Sequence, residues 1–503
     1  MNRGATMLGG ALQNALGGSG RLVLGFLLAL LLGRLLGAEG FGVYMVAVAV
    51  AGILEAVAES GPRTATVRFV AHFLSQGAPQ RARGVVRTGL ALTAMVGVAL
   101  VAGGLLLSEE GVARFLSGAG SGGELVWTLA VVSSLPLSLT AVLLAGTRGT
   151  GWMAPSNITD GLVVPLGRIA LFLPLFWLGL GEEAALWAYL VSALVGLGLA
   201  WWFYRRALVP EASPAPAWEW RGVAPFAAAQ GGSGVLDVAL FWADTLIIAG
   251  LLSEAAVGVY GAAVRLALVP TLFVTAFNTA FQPWAASLWA GGERRELGEA
   301  YRQVTRLSSG LSLPFYLLLA AFPVPLLAVF GGDFRAGATV LVILAFGQIL
   351  NVISGPAANL LAMAGFPVWN FWNNLVLLAL NVAANLALVP LLGIEGAAWA
   401  WAGSLLVVNV ARVVEARILT GLLPFDLRLA AVLGLGVGGA LLLAVSRSWQ
   451  VGALWQAAAW GTLFGLLWMV ALLKALPASD RLLLRHLLGR AGRLSPIGPN
   501  LRL

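Results

Sequence analysis

The sequence has no cysteine, one lysine (Lys474) and two histidines (His72 and His486). Disulfides and thiolate metal ligands are therefore excluded, and two isolated imidazoles do not make a metal site, so no metal or cofactor is expected. Charge is scarce: 10% of the 503 residues are charged against 59% hydrophobic, which excludes a soluble globular fold. Barrel-type alternation is missing, and so is a GxxxxGK[ST] phosphate loop that could seat nucleotide hydrolysis. The N-terminus lacks a short apolar run followed by a small-residue cleavage site. Its first long apolar run, Arg21 to Leu36, leads straight into another and reads as a retained helix.

What is present is a succession of apolar stretches long enough to cross about 30 Å of hydrocarbon, each necessarily helical because lipid offers the backbone no water. Breaks at charged, Gly, Pro and Asn residues place spans near 15–36, 41–60, 84–107, 124–146, 161–180 and 184–204. A second set follows near 224–252, 255–280, 306–330, 337–363, 371–392 and 395–415, and an extra pair near 429–446 and 452–473. The pattern predicts an all-α integral membrane protein of about 14 transmembrane helices. With the N-terminus inside, 24 of the 30 Lys and Arg residues fall in loops on one side, while Arg34, Arg114, Arg335 and Arg447 fall on the other and Arg168 and Arg265 are embedded. The positive-inside rule then puts both termini in the cytoplasm. The formal charge of +8 reflects this bias and attraction to anionic membrane lipids, and calls for no nucleic acid.

The two sets of six repeat one another. LLGAEGFGVY (Leu35 to Tyr44) matches LLSEAAVGVY (Leu251 to Tyr260) at an offset of 216, and GGSG recurs at Gly17 to Gly20 and Gly231 to Gly234. Arg87 with Arg302 and Asn157 with Asn373 keep nearly the same offset. An even number of spans separates the copies, so both face the same way, related by a pseudo-two-fold along the membrane normal. The expected organisation is an N-terminal six-helix lobe over 1–208, a Pro-rich cytoplasmic linker over 209–222 with Trp218 and Trp220 at the lipid interface, a second six-helix lobe over 223–420, an extra helix pair over 421–475 and a basic amphipathic tail over 476–503.

Three stretches carry a family resemblance: LGRLLGAEGFGVYMVAVAVAGILEAVAESGPRTATVRFVA (Leu32 to Ala71), ADTLIIAGLLSEAAVGVYGAAVRL (Ala243 to Leu266) and NVAANLALVPLLGIEGAAWAWAGSLL (Asn381 to Leu406). They resemble the polysaccharide-transporter branch of the multidrug/oligosaccharidyl-lipid/polysaccharide superfamily, which includes O-antigen and exopolysaccharide flippases. The resemblance implies two lobes that open alternately to either side and carry a lipid-linked oligosaccharide outward across the plasma (inner) membrane, with polysaccharide polymerase machinery as a further partner. The arginine-aspartate signature and the proline-arginine block of peptidoglycan-precursor flippases are absent, which sets that assignment aside.

Charges at membrane depth are functional suspects because each is costly unless it faces protein or water. Arg265, about ten residues into its span and so near the midplane, is the first candidate to bind a lipid pyrophosphate; a structural ion pair is the other reading. Arg168, closer to the cytoplasmic end, and Arg21, following GGSG, are further substrate-binding candidates, against snorkelling for the first and close packing of the glycines for the motif beside the second. Asp237 and Asp244, seven residues apart on one helical face, either balance Arg265 or take up a proton or cation that drives transport. Glu55 and Glu59, one turn apart ahead of the Gly61-Pro62 break, are coupling candidates or local charge partners. The sequon at Asn157 falls in a cytoplasmic loop and should carry no glycan.

The expected function is a flippase for an undecaprenyl-pyrophosphate-linked oligosaccharide in cell-surface polysaccharide synthesis. About two negative charges moving outward down about 100 mV gain roughly 4 to 5 kcal/mol, so the potential alone supplies a drive. A cation-coupled multidrug exporter is the alternative and would favour acidic, aromatic groups. A membrane-embedded glycan polymerase or transferase would need a nucleophile, base and orienting group that the sequence does not display, so no catalytic residue and no enzymatic activity are expected.

Overall fold

The computed structural model describes residues 2–106, 123–208, 218–447, 454–477 and 480. The outer loop after residue 106, most of the Pro-rich linker and the basic tail beyond Asp480 lie outside the described residues. All regular structure among the described residues is helical. In chain order the helices are α1 (Asn2–Ser75), α2 (Pro79–Leu106), α3 (Gly123–Gly149), α4 (Ala154–Ile158), α5 (Val164–Leu175), α6 (Glu183–Leu208), α7 (Trp220–Leu251), α8 (Glu254–Leu268), α9 (Thr271–Ala290), α10 (Arg294–Ala321), α11 (Pro323–Leu327), α12 (Ala338–Ile353), α13 (Ala357–Met363), α14 (Pro367–Leu392), α15 (Ile394–Thr420), α16 (Leu427–Arg447) and α17 (Leu454–Ala475).

Eleven of the described helical segments are long and apolar enough to cross a membrane, and a bent pair makes twelve. Because α1 holds two passes and α16 is a shorter apolar helix, the number of crossings is about fourteen. The loop expected between the first two spans does not exist. The chain reverses at Gly37 alone, whose φ of 72° is open to glycine and strained for other residues. The break expected at Gly61-Pro62 is also absent: α1 runs through Pro62 to Ser75, and Thr64 Oγ1 donates to the Ser60 carbonyl at 2.9 Å, satisfying one acceptor beside the proline. By contrast, the single span expected over 255–280 is bent by 50° between α8 and α9, where Pro270 interrupts the helix. Buried hydroxyls inside α3 bond back to carbonyls of their own helix, Ser138 to Ser134 and Thr140 to Pro136, so they cost little in an apolar interior.

The second arm of α1 runs along α7 and meets the start of α8. A Cβ at Gly42 would overlap the carbonyl oxygen of Glu254, and one at Gly258 would overlap the carbonyl oxygen of Ala38. Towards the end that carries the arginine-rich loops, a Cβ at Gly61 would overlap the Ala227 carbonyl, and one at Gly234 would lie 2.7 Å from Ser60. Backbones this close let small-residue helices gain dispersion contact that lipid cannot offer. The two six-span sets therefore touch at both ends, and the GGSG copy at Gly231 to Gly234 serves packing.

Two polar clamps hold the periphery. Arg81 bonds both oxygens of Glu219 at 2.7 and 3.0 Å and lies 4.0 Å from the Phe73 ring centre, while Arg87 covers Trp218, which stacks on Trp220. Phe73, Arg81, Trp218, Glu219 and Trp220 border a cavity of about 540 Å³. The fully buried Arg306 binds Asp480 at 2.9 Å, Glu299 at 3.1 Å and Asp426, tying both feet of the α16 and α17 pair to α10. The sequence counts Arg306 as a loop charge; its partners lie far along the chain and gather only on folding.

Candidate functional site

Two embedded arginines, Arg265 and Arg168, and the exposed Arg21 come within range of one another's charge where the two sets of spans join. Arg265 stands eleven residues beyond Glu254, about 16 Å along α8 and just ahead of the Pro270 bend. It is half-buried, and its Nη2 points across to the Met45 Sδ of α1 at 3.8 Å. Arg168, half-buried on α5, lies 4.1 Å from the ring centre of Tyr189 and its Nε donates to Ser192 Oγ at 3.4 Å. Tyr44, buried on α1, is in electrostatic contact with both arginines and sets its ring edge-on to Tyr189 at 6.3 Å. Arg21, exposed on α1, is close enough for its charge to act on Arg265, as Arg168 does.

Among the described residues none of these three arginines has a carboxylate within ion-pairing distance. A guanidinium half-removed from water and left without an ion-pair partner, as Arg265 and Arg168 are, is costly, and like charges drawn together add to the cost. The arrangement can take up an anion whose oxygens accept several charge-assisted hydrogen bonds at once.

The structure parts the expected carboxylates from Arg265. Asp244 is buried between α7, α8 and α14: Tyr260 Oη donates to its Oδ2 at 2.5 Å, and Asn381 and Asn385 Nδ2 donate to its Oδ1 at 3.0 and 2.8 Å. All three donors are neutral, and the Oδ1 atoms of Asn381 and Asn385 are buried without a partner. One heptad nearer the basic end, Asp237 accepts from Asn374 Nδ2 at 2.8 Å, whose Oδ1 accepts from Arg412 at 2.6 Å. The two aspartates share one face of α7, and their asparagine partners share one face of α14 with the same spacing.

On α1, Glu59 pairs with Arg63 one turn on at 2.9 Å, while Glu55 makes no ion pair among the described residues and feels Arg21, Asp160 and Arg168. Asp160, absent from the sequence reading, lies on a π-helical turn, Thr159–Val163, between α4 and α5. No group of three or more His, Cys, Asp or Glu residues suited to a metal occurs among the described residues.

The sequence model of the family described as Polysaccharide biosynthesis protein matches residues 8–289, and that of MatE matches residues 232–386. The probable low-salt glycan biosynthesis flippase Agl15 of Haloferax volcanii is 24% identical over 382 residues, which cover 75% of this chain and 76% of that protein. Among solved structures, the lipid II flippase MurJ in an inward closed conformation superposes with a TM-score of 0.73 at 12% identity, over 92% of this chain and 98% of that one. An inward-facing multidrug resistance MATE family transporter gives a TM-score of 0.64 at 15% identity, over 80% and 94%. These structures share the fold.

Proposed function

Because the chain belongs to the family of polysaccharide biosynthesis proteins, with one family match over more than half its length, we propose that it flips a polyprenyl-pyrophosphate-linked oligosaccharide from the cytoplasmic to the outer leaflet of the plasma membrane. It is a flippase of the multidrug/oligosaccharidyl-lipid/polysaccharide superfamily. The observation that carries the substrate class is that Arg265, Arg168 and Arg21, close enough to act on one another at the join between the repeats, make no ion pair among the described residues. A pyrophosphate supplies the direct ion pairs that these arginines lack while the polyprenyl tail stays in lipid. A cationic drug would be repelled at the same place. On this reading both termini are cytoplasmic, and the arginine-rich end of the bundle is where the lipid-linked glycan is taken up.

The buried Asp244 is the coupling residue of this scheme: three neutral donors hold its carboxyl, and among the described residues no cation pairs with it. The decisive experiment is to delete the gene in its host and identify the lipid-linked glycan that accumulates in the cytoplasmic leaflet, then complement with the wild-type chain and with Arg265→Ala. Export restored equally by both would overturn the role of Arg265, and no accumulation on deletion would overturn the substrate class.

A further inference from the structure

Asp160 is a carboxylate set among the cations of the site but paired with none of them. In an unbroken α-helix residues eight apart are about 80° apart around the axis, so residues 160 and 168 would face different neighbours. The π-helical turn adds one residue, which brings that angle down to about 20°. Asp160 and Arg168 thereby come onto one face. The same turn packs against the first arm of α1, where a Cβ at Gly20 would lie 3.3 Å from the Gly161 carbonyl oxygen, and this sets Arg21 beside Asp160. The carboxylate lies in the fields of Arg21, Arg148, Arg168 and Arg63, yet it is within 4.0 Å of no Lys, Arg or His nitrogen among the described residues.

A carboxylate near its arginines but not on them opposes their charge while leaving their N–H groups open. Cations that hold a diphosphate must also let it go, because binding that is too tight halts turnover. We propose that Asp160 is a built-in competitor for Arg21 and Arg168, a positioning residue that weakens their hold on a lipid phosphate so that the anion can leave. This rests on the reading of the arginines as the pyrophosphate site. Glu55 shares three of the same arginines, but it sits on α1 itself, and the added residue in the fifth span sets only Asp160 in line with Arg168.

The test uses the full chain in nanodiscs with geranylgeranyl diphosphate as the probe, and compares wild type with Asp160→Asn, Asp160→Glu and Arg265→Ala. Removing one charge at this range should tighten binding about tenfold in Asp160→Asn and slow glycan export in cells, while Asp160→Glu, which keeps the charge, stays within about threefold of wild type. If wild type binds, Arg265→Ala weakens binding and Asp160→Asn leaves it unchanged or weaker, the competitor role is overturned and the arginine site stands. Equal tightening in Asp160→Asn and Asp160→Glu would also overturn it, since shape rather than charge would then be responsible. If wild type does not bind, or binds no better than Arg265→Ala, the arginine site fails and the inference goes with it.

Discussion

Gly42 and Gly258 hold matching places in the two copies of the repeat, and each presses on the helix backbone of the other copy, four residues before its partner glycine. The contact is reciprocal: Gly42 meets residue 254, and Gly258 meets residue 38. A duplication followed by face-to-face assembly produces this symmetry, and it closes the bundle at the end opposite the arginine-rich loops.

Gly42→Leu and Gly258→Leu should each prevent this closure, at a cost of about 1–3 kcal/mol for overpacking in the closed form. Cysteine pairs placed across the contact should cross-link less in either variant, with insertion into the membrane unchanged. The double variant should be little worse than either single one, because one lost contact cannot be lost twice.

Arg265→Ala should abolish glycan export with normal expression and insertion, and Arg265→Lys should recover only part of it, since an ammonium lacks the planar fork that grips a phosphate. Export measured by surface glycan staining in a deletion strain decides between these outcomes.

Asp244→Asn should stop transport while changing the melting temperature in detergent little. The amide oxygen can still accept from Asn381 and Asn385, and its NH2 can donate to the Tyr260 hydroxyl, which accepts as well as donates, so only the ability to take up and release a proton is lost.

Glu182 lies between the fifth and sixth spans, and burial, with Glu39 and Glu254 nearby, pushes its carboxyl above the usual range. A raised acid favours the folded form while protonated. Its contribution is therefore full at low pH and is lost as pH rises from the ordinary carboxylate range through the raised value. The melting temperature of Glu182→Gln should fall less across that window than that of wild type.

Arg306→Met should cost about 3–5 kcal/mol, because it strands Asp480 and part-buried Asp426 without their cation. Glu299→Gln, at a half-exposed partner, should cost less than about 1 kcal/mol by the same thermal assay.

The crossings were legible because apolar length is a direct physical demand of lipid, and Arg265 was legible because a charge ten residues into such a stretch has nowhere else to go. The duplication, too, could be read, but not that its glycines meet, since an offset carries no information about distance. Asp160 escaped because a spacing of eight falls off the helical period until one residue is added in the turn. Asn381 and Asn385 escaped because neutral amides in an apolar run give no signal until the carboxylate they face is known. Arg306 was misplaced for the opposite reason: its position at the start of a span looks like an interfacial charge, and only the fold brings residues 426 and 480 to it.

Arg306 fastens both feet of the α16 and α17 hairpin at a single guanidinium. Farther along, Trp468 Nε1 donates to the Gly310 carbonyl at 2.8 Å, and Gly436 and Gly439 leave room for Leu313 and Leu317, so the hairpin is gripped by α10 along its shaft as well as at its feet. A swing of the pair away from α10 would break the ion pairs and strip this packing together, so the pair should travel with the second set of spans as one body when the bundle changes shape.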